Sequence, residues 1–494
     1  MSNRGVTTLN RQLGIVGLAA TGICSMIGAS IYVVPFMIQR HVSGIGPYVL
    51  PAFLFAAVPA ALAAISYAIL ASAMPRAGGS YIYASRSLSP YLGFVASFSQ
   101  WFGLSIAIGV VSYVIIPFIR DISQALHWNE LAAWLSAGWV RVTLSLLILW
   151  TFVLINIRGI KWYERTLIPL MMLMFALGAI VIVIGLLNNH QDFTNSLFHK
   201  TGQAIQLQPA KFKWTTFLSG SALLFSSFIG FDSIAQAGGE AKNPGKLLPR
   251  AIGISILTVT GFYFVFTYAV YHTIPWNYIA QEALKTDVTA PGLLRVVMPA
   301  SLSVFVISGA AIALFNDLPA MILSVSRLMF AWAEDGIFPK RIARIHPRHH
   351  TPHTAILASG LMASIGILGS HFAGDFFLGI DIMVTSMLVN YLLMCLCVIN
   401  LPVKNPDIAK GITVYKSRLL QKIVAGAGSC LLLAFLLIHI IKDLSSQADA
   451  WYFHSTFVWL IVMSVASLIF YWKWKALHKQ GIDTQKLFST LPQE

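Results

Sequence analysis

The sequence predicts an all-α polytopic membrane protein with 12 transmembrane helices, of which the first and sixth are broken. Three observations carry that prediction. Of the 494 residues, 57% are hydrophobic and only 10% are charged, and the mean hydropathy is +0.74, a composition outside the range of soluble globular chains. Apolar runs of about 20 residues, the length that crosses a hydrocarbon core, recur along the whole chain. Finally, the first and sixth of these runs are interrupted in the same way, by Ser25-Met-Ile-Gly28 and Ser227-Phe-Ile-Gly230.

The sixth run is the more telling. Phe225-Ser-Ser-Phe-Ile-Gly-Phe-Asp232 places two serines, a glycine and a carboxylate inside a segment long enough to span a bilayer. Backbone that leaves the helix at membrane depth must be buried in protein or line a watery cavity, because lipid offers no hydrogen bonds. A pair of glycine-interrupted spans at corresponding positions of two halves points to a solute site at the bilayer midplane. Five spans precede the sixth, so the second copy enters from the opposite side and the two halves form an inverted repeat.

The apolar runs lie at 13–38, 47–74, 91–119, 138–157, 165–187, 215–238, 251–272, 301–331, 354–373, 376–400, 419–441 and 454–474. Residues 13–187 make the first repeat and 215–400 the second, and 419–474 hold the last two spans. Segments 1–12 and 475–494 are polar tails. Cations crowd alternate loops: Arg76 and Arg86 after the second run, Arg158 and Lys161 after the fourth, Lys242, Lys246 and Arg250 after the sixth, Lys340, Arg341 and Arg344 after the eighth. The other loops hold acids such as Glu130, Asp192 and Glu282. That asymmetry predicts both termini in the cytoplasm, in what would be a bacterial inner membrane. The loop 273–300, with Pro275-Trp276 and Ala290-Pro-Gly-Leu-Leu, reads as short helices folded over the external mouth.

Several function classes drop out. The net charge of +15 is spread over short loops rather than gathered in a basic, aromatic-laced domain, so nucleic acid is not an expected partner. Cys24, Cys395, Cys397 and Cys430 all sit in apolar runs and read as small buried hydrophobes, without disulfide or zinc-ligand spacing. The histidines of His346-Pro-Arg-His-His350 and His353 have a proline interrupting any helical ligand spacing. No nucleophile–base pair is evident, so the chain is not read as an enzyme, and no cofactor is expected.

Several motifs, in order, resemble the amino acid–polyamine–organocation superfamily of permeases, and the similarity covers most of the first ten spans. Gly17, Gly22 and Ile27-Gly-Ala-Ser-Ile31 with Pro35 resemble its first-helix glycine motif. Pro75-Arg-Ala-Gly-Gly-Ser-Tyr-Ile-Tyr83 resembles its loop after span two, and Asn156-Ile-Arg-Gly-Ile-Lys161 its loop after span four. Phe228-Ile-Gly-Phe-Asp232 with Glu240-Ala-Lys-Asn-Pro244 is similar to its sixth-helix signature. Ser326-Arg327, Glu334-Asp-Gly336 and His346-Pro-Arg348 are similar to its segment after span eight.

The resemblance implies a five-plus-five inverted repeat followed by two extra helices, and an amino acid substrate. It places the substrate carboxylate on freed N–H groups near Gly28, Ala29 and Ser30, aided by a half-helix dipole. The ammonium would go to carbonyls near Met26, Ser226 and Ile229, and Ile27 and Ser227 are further substrate-binding candidates in the two breaks. Departures are visible: Ser30 stands where the family usually has a second glycine, Ile69 replaces a usual glutamate, and no lysine is present near Met174, where some members carry one for proton coupling.

Asp232, Asp317 and Asp381 lie inside predicted spans, and ionisable groups at membrane depth are costly enough to suggest use. Asp232 and Asp317 are the candidates for carrying a proton or countering a cationic side chain, whereas Asp381 reads as structural. Trp101 and Phe231 are candidate aromatic gates, and Glu240 a gate residue paired with Arg250 or Arg327. The reading is a secondary active transporter of amino acids working by alternating access in the lipid bilayer, proton-coupled or an exchanger, as a monomer or homodimer. A polyamine or amine carrier is the alternative of the same class. A non-transporting sensor or scaffold on a permease fold is the alternative of another class.

Overall fold

The computed structural model describes residues 9–28, 30–202, 204–205, 209–286, 288–298, 300–373, 376–446 and 451–492. Ala29, one of the expected carboxylate binders, lies outside the described residues. Twelve helices are long and apolar enough to cross a membrane. Spans 1 to 6 are Ile15–His41, Gly46–Ala73, Pro90–Ala125, Gly138–Ile157, Ile160–Leu187 and Trp214–Gln236. Spans 7 to 12 are Pro244–Thr273, Val304–Glu334, His353–Phe372, Leu378–Lys404, Arg418–Ser445 and Ser455–Lys479. Every predicted run has its helix.

The edges differ for physical reasons. Spans 3 and 7 begin with Pro90 and Pro244 in the first helical turn, where the missing N–H costs nothing, and Ser89 Oγ caps Leu92 N at 3.1 Å. Spans 5 and 7 also start earlier than hydropathy suggests. Their first two turns carry Lys161 and Glu164, and Lys246 and Arg250, which are polar yet helical. Two helices fall in segments read as loops. Gly79–Ser87 is wholly buried after span 2, and His190–Thr201 starts with a capping box made by Asn189 and Asp192. The short helices expected in 273–300 are present as Trp276–Lys285 and Ala290–Leu294. They pack beside the second half of span 1, where Val288 N meets Met37 Sδ at 3.2 Å.

Span 3 is the axle of the bundle, packed against spans 8, 9 and 10. Small residues let it approach its neighbours: a Cβ on Gly109 would fall 2.5 Å from Ala363 O, and one on Gly103 2.6 Å from Ser386 Cβ. Such contacts suit helices that associate without a hydrophobic driving force. Around the rim, Leu437, Ile441, Leu460 and Val465 are exposed, a surface that water would penalise and lipid accepts. Cys430 belongs to that rim. It is exposed rather than a buried hydrophobe, whereas Cys24, Cys395 and Cys397 are buried as expected.

One face of the bundle gathers the segments that follow spans 2, 6 and 8 together with both ends of the described chain. Leu13 N bonds Glu240 O and Lys242 N bonds Leu13 O, each at 2.9 Å. Arg76 Nε donates to Pro492 O at 3.0 Å, Arg86 Nε to Thr490 O at 3.2 Å, and Asn405 Nδ2 to Ser489 O at 2.9 Å. An even number of crossings requires this arrangement. We refer to it as the terminal face.

Candidate functional site

Both interrupted spans are broken where the serine–glycine motifs stand. The first helix of span 1 ends at Met26, Ile27 takes φ −89° and ψ 80°, and helix resumes at Ser30. Span 6 tightens into a 3-10 turn over Phe225–Phe228, and Ile229 is extended at ψ 130°. Gly230 adopts φ 133°, a region that essentially only glycine enters, and a Cβ there would run into Ser25 O. Ser25 Oγ and Ser233 Oγ sit 2.9 Å apart. The two breaks therefore touch each other, and glycine is what lets them.

A cavity of about 460 Å³ opens from this crossing. Its deep end is lined by Ser25, Met26, Gly28, Ser30, Ser226, Ile229 and Asp317, and its far end by Arg40, Arg120, Asp121 and Arg141. Leu104 and Asp121, both in the lining, belong to one continuous helix, which at helical rise makes the cavity about 25 Å deep. Span 3 runs away from the terminal face in that direction, so the cavity communicates with the opposite face.

Asp317 is the ionisable group at the deep end. It is buried, with 7% exposure, and its Oδ1 has no hydrogen-bond partner among the described residues. Its Oδ2 sits 2.5 Å from where a Cβ on Gly28 would be, so the absence of a side chain at Gly28 makes room for the carboxylate. Tyr263, from span 7, braces the same place: its hydroxyl donates to Met26 O at 2.5 Å and lies 3.3 Å from Ser30 Oγ. That bond already occupies one lone pair of the Met26 carbonyl expected to meet an ammonium. The resumed helix of span 1 presents its first-turn N–H groups without intrahelical partners, beside Gly28 and Ser30.

Toward the terminal face the structure is closed in three layers. Phe231 stacks on Tyr391 with centroids 4.8 Å apart and meets Tyr67 edge-on at 5.5 Å. Asp232, fully buried, accepts from Tyr391 Oη at 2.5 Å and from Gln100 Nε2. Asn390 Nδ2 extends the network to Tyr67 Oη at 2.7 Å and Gln100 Oε1 at 3.3 Å, and Gln236 Nε2 donates to Ser80 Oγ at 2.8 Å. Spans 2, 3, 6 and 10 are tied together by this network. Beyond it lie two buried ion pairs: Arg327 with Glu240, at 2.5 and 3.1 Å, and Arg86 with Asp335, at 2.5 and 2.9 Å. Bidentate charge-assisted pairs of this kind are the strong ones.

The residues singled out from sequence thus separate into two groups. Met26, Gly28, Ser30, Ser226, Ile229 and Asp317 are brought together around the cavity. Ile27 and Ser227 are buried beside the breaks but outside the lining. Phe231, Asp232 and Glu240 fall in the closed layers. Trp101 sits among Phe98 and Trp332, at centroid distances of 5.3 and 5.8 Å, away from the cavity lining. Glu240 pairs with Arg327 rather than Arg250, and Arg327 is in span 8 itself. Sequence reasoning missed Tyr263, Gln100 and Tyr391, as well as the arginines at the mouth. The polar residues Gln100 and Asn390 within apolar runs were the available signal for the network.

The sequence profile described as amino acid permease matches residues 13–465. Among relatives, Cationic amino acid transporter 4 of Mus musculus is 28% identical over 382 residues, which is 73% of this chain and 56% of that protein. The chain thus spans little more than half the length of that relative, and 55% of its Homo sapiens counterpart. Branched-chain amino acid permease BcaP of Bacillus subtilis is 26% identical over 421 residues, covering 82% of this chain and 84% of that protein. Low-affinity putrescine importer PlaP of Escherichia coli is 23% identical over 372 residues, 74% of this chain and 76% of that protein.

Proposed function

The chain belongs to the amino acid permease family, within the amino acid–polyamine–organocation superfamily, and from that premise we propose that it is a secondary active transporter moving amino acids by alternating access. The observation that carries the reading is one-sidedness. A deep cavity leads from the two touching helix breaks to one face, while aromatic stacking, a polar network and two buried ion pairs close the way to the other. A conformation with one open path and one layered closure is half of an alternating-access cycle. The other half requires the Glu240–Arg327 and Arg86–Asp335 pairs to part.

In this reading the substrate carboxylate binds the N–H groups at Gly28, Ala29 and Ser30, and its ammonium binds near Ser226, Ile229 and the Asp317 carboxylate. Ile27 and Ser227 shape the breaks, and Met26 contributes the carbonyl that Tyr263 steadies. Phe231 is the inner gate that must swing off Tyr391, and Glu240 is the ionic gate behind it. Trp101 would act only indirectly, through Trp332. Asp232 or Asp317 would carry a proton if transport is proton-coupled. Residues 13–187 and 215–400 would be the inverted repeats, and the cation-rich terminal face would be cytoplasmic, in a bacterial inner membrane. Asp317 Oδ1, without a partner among the described residues, also favours a second reading, an amine or polyamine carrier.

Uptake of labelled amino acids into proteoliposomes containing the purified protein tests the proposal. Saturable uptake, lost on substitution of Gly28 by Leu, is the expected result. Uptake no faster than in protein-free vesicles, for every amino acid tried, would remove the transport reading.

A further inference from the structure

The charges along the cavity are distributed unevenly, and that distribution discriminates among amine-bearing solutes. In the deep half Asp317 is the one ionisable side chain of the described lining, and its Oδ1 is unpartnered. The walls around it are aliphatic or thioether: Val34, Leu104, Ala107, Leu314 and Met383 among them. At the mouth the described lining holds Arg40, Arg120, Arg141 and Asp121. Arg120 holds Asp121 through Nε at 2.9 Å and Nη2 at 2.7 Å. Arg141 is fixed over the Tyr113 ring at 3.7 Å, with Nε on Tyr113 O at 3.2 Å. Arg40 lies on the resumed helix of span 1, roughly 15 Å beyond Ser30 at helical rise. Among the described mouth residues Arg120 is balanced by Asp121, Arg141 stands against an aromatic ring rather than an acid, and the base carries one carboxylate.

Any solute must pass that mouth and then be matched at that base. A charge taken into an apolar-walled cavity is costly unless it is paired. An α-amino acid with an apolar side chain brings one ammonium, for which there is one carboxylate, and one carboxylate, for which there are the N–H groups of the broken span. Its side chain finds walls of its own kind. Lysine, arginine and diamines bring a second cation that meets no second acid in the deep half among the described residues. They must also approach through a field of like charge, which low-dielectric walls focus.

Resting on the transporter reading above, we propose that the cavity selects net-neutral amino acids with apolar side chains and rejects cationic amino acids and diamines. Asp317 pairs the single α-ammonium, and Arg141 repels a second positive charge at the mouth. Two parts of the cavity thereby make one filter.

The test uses the purified full chain in proteoliposomes with labelled leucine, lysine and putrescine at equal concentration. Leucine uptake is expected to be saturable, with lysine and putrescine at least about tenfold slower, the factor that a modest unmatched-charge penalty produces. Raising the ionic strength should weaken the rejection of putrescine, because salt screens the exposed mouth more than buried Asp317. Ala107→Asp, or Met383→Asp should the first variant fail to fold, adds a second acid to the walls and is expected to raise the lysine-to-leucine ratio about tenfold. Arg141→Gln should let putrescine compete with leucine. Lysine or putrescine moving as fast as leucine in the unaltered protein would overturn the inference while leaving transport intact. Movement of none of the three would remove the transport reading, and the inference with it.

Discussion

Asp232 and Asp317 are both buried carboxylates beside a helix break, and their circumstances are opposite. Asp232 is saturated: Tyr391 and Gln100 donate to its two oxygens, and those donors belong to a network that joins four spans. Asp317 keeps an oxygen with no partner among the described residues and faces a cavity. The first has the environment of a structural clasp and the second that of a ligand-binding group. Residue type and burial alone do not separate them; the direction in which the donors lie does.

The comparison breaks most readily on stability. Asp232→Leu strands two buried donors and is expected to cost about 3 kcal/mol or more, read as a large drop in the unfolding temperature of the detergent-solubilised protein. Asp317→Asn in the same assay strands no donor seen in the structure and should cost far less, while raising the KM for a transported amino acid about tenfold or more. Equal destabilisation by the two substitutions would erase the distinction between clasp and ligand group.

Next in size is Gly28→Leu, which sets a side chain against Asp317 at the deep end of the cavity. Uptake should fall at least about tenfold, the response to a misplacement at a positioning site, with less loss of thermal stability than Asp232→Leu shows. Intact uptake would show that the carboxylate is bound elsewhere. Glu240→Gln loosens the ion pair on the closed face, and alkylation from that face of a cysteine placed at Ser80 should quicken by a few fold. Unchanged alkylation would mean that the deeper network alone holds the closure. The smallest effect is expected from Tyr263→Phe, which removes one hydrogen bond to Met26 O, worth about 1 kcal/mol. A KM raised by about fivefold is the corresponding readout.

The spans and both breaks were legible in the sequence because lipid makes any departure from helix conspicuous: at that depth a serine–glycine interruption survives only where protein or water satisfies the freed backbone. Gly28, Ser30 and Asp317 were legible for the same reason. What made Asp232 different was not, because Gln100 and Tyr391 stand 132 and 159 residues away along the chain, and no local pattern announces such partners. Trp101 misled for the converse reason. An aromatic on span 3 looks equally suited to the cavity or to the cluster with Phe98 and Trp332, and only the rotation of the helix decides. The mouth arginines were overlooked because they lie at span ends, where Arg40, Arg120 and Arg141 read as ordinary flanking charges.

The depth of the cavity also has an electrical consequence. Where water reaches Asp317 from one face, little of the membrane voltage can fall along that path, and the drop concentrates across the closed portion between Asp317 and the terminal face. One elementary charge moved across the whole potential exchanges about 2.3 kcal/mol per 100 mV. A cation or proton released from Asp317 through the closed layers would therefore experience most of that energy over a fraction of the membrane's thickness. The side chains of Phe231, Asp232 and Tyr391 stand where that field is steepest.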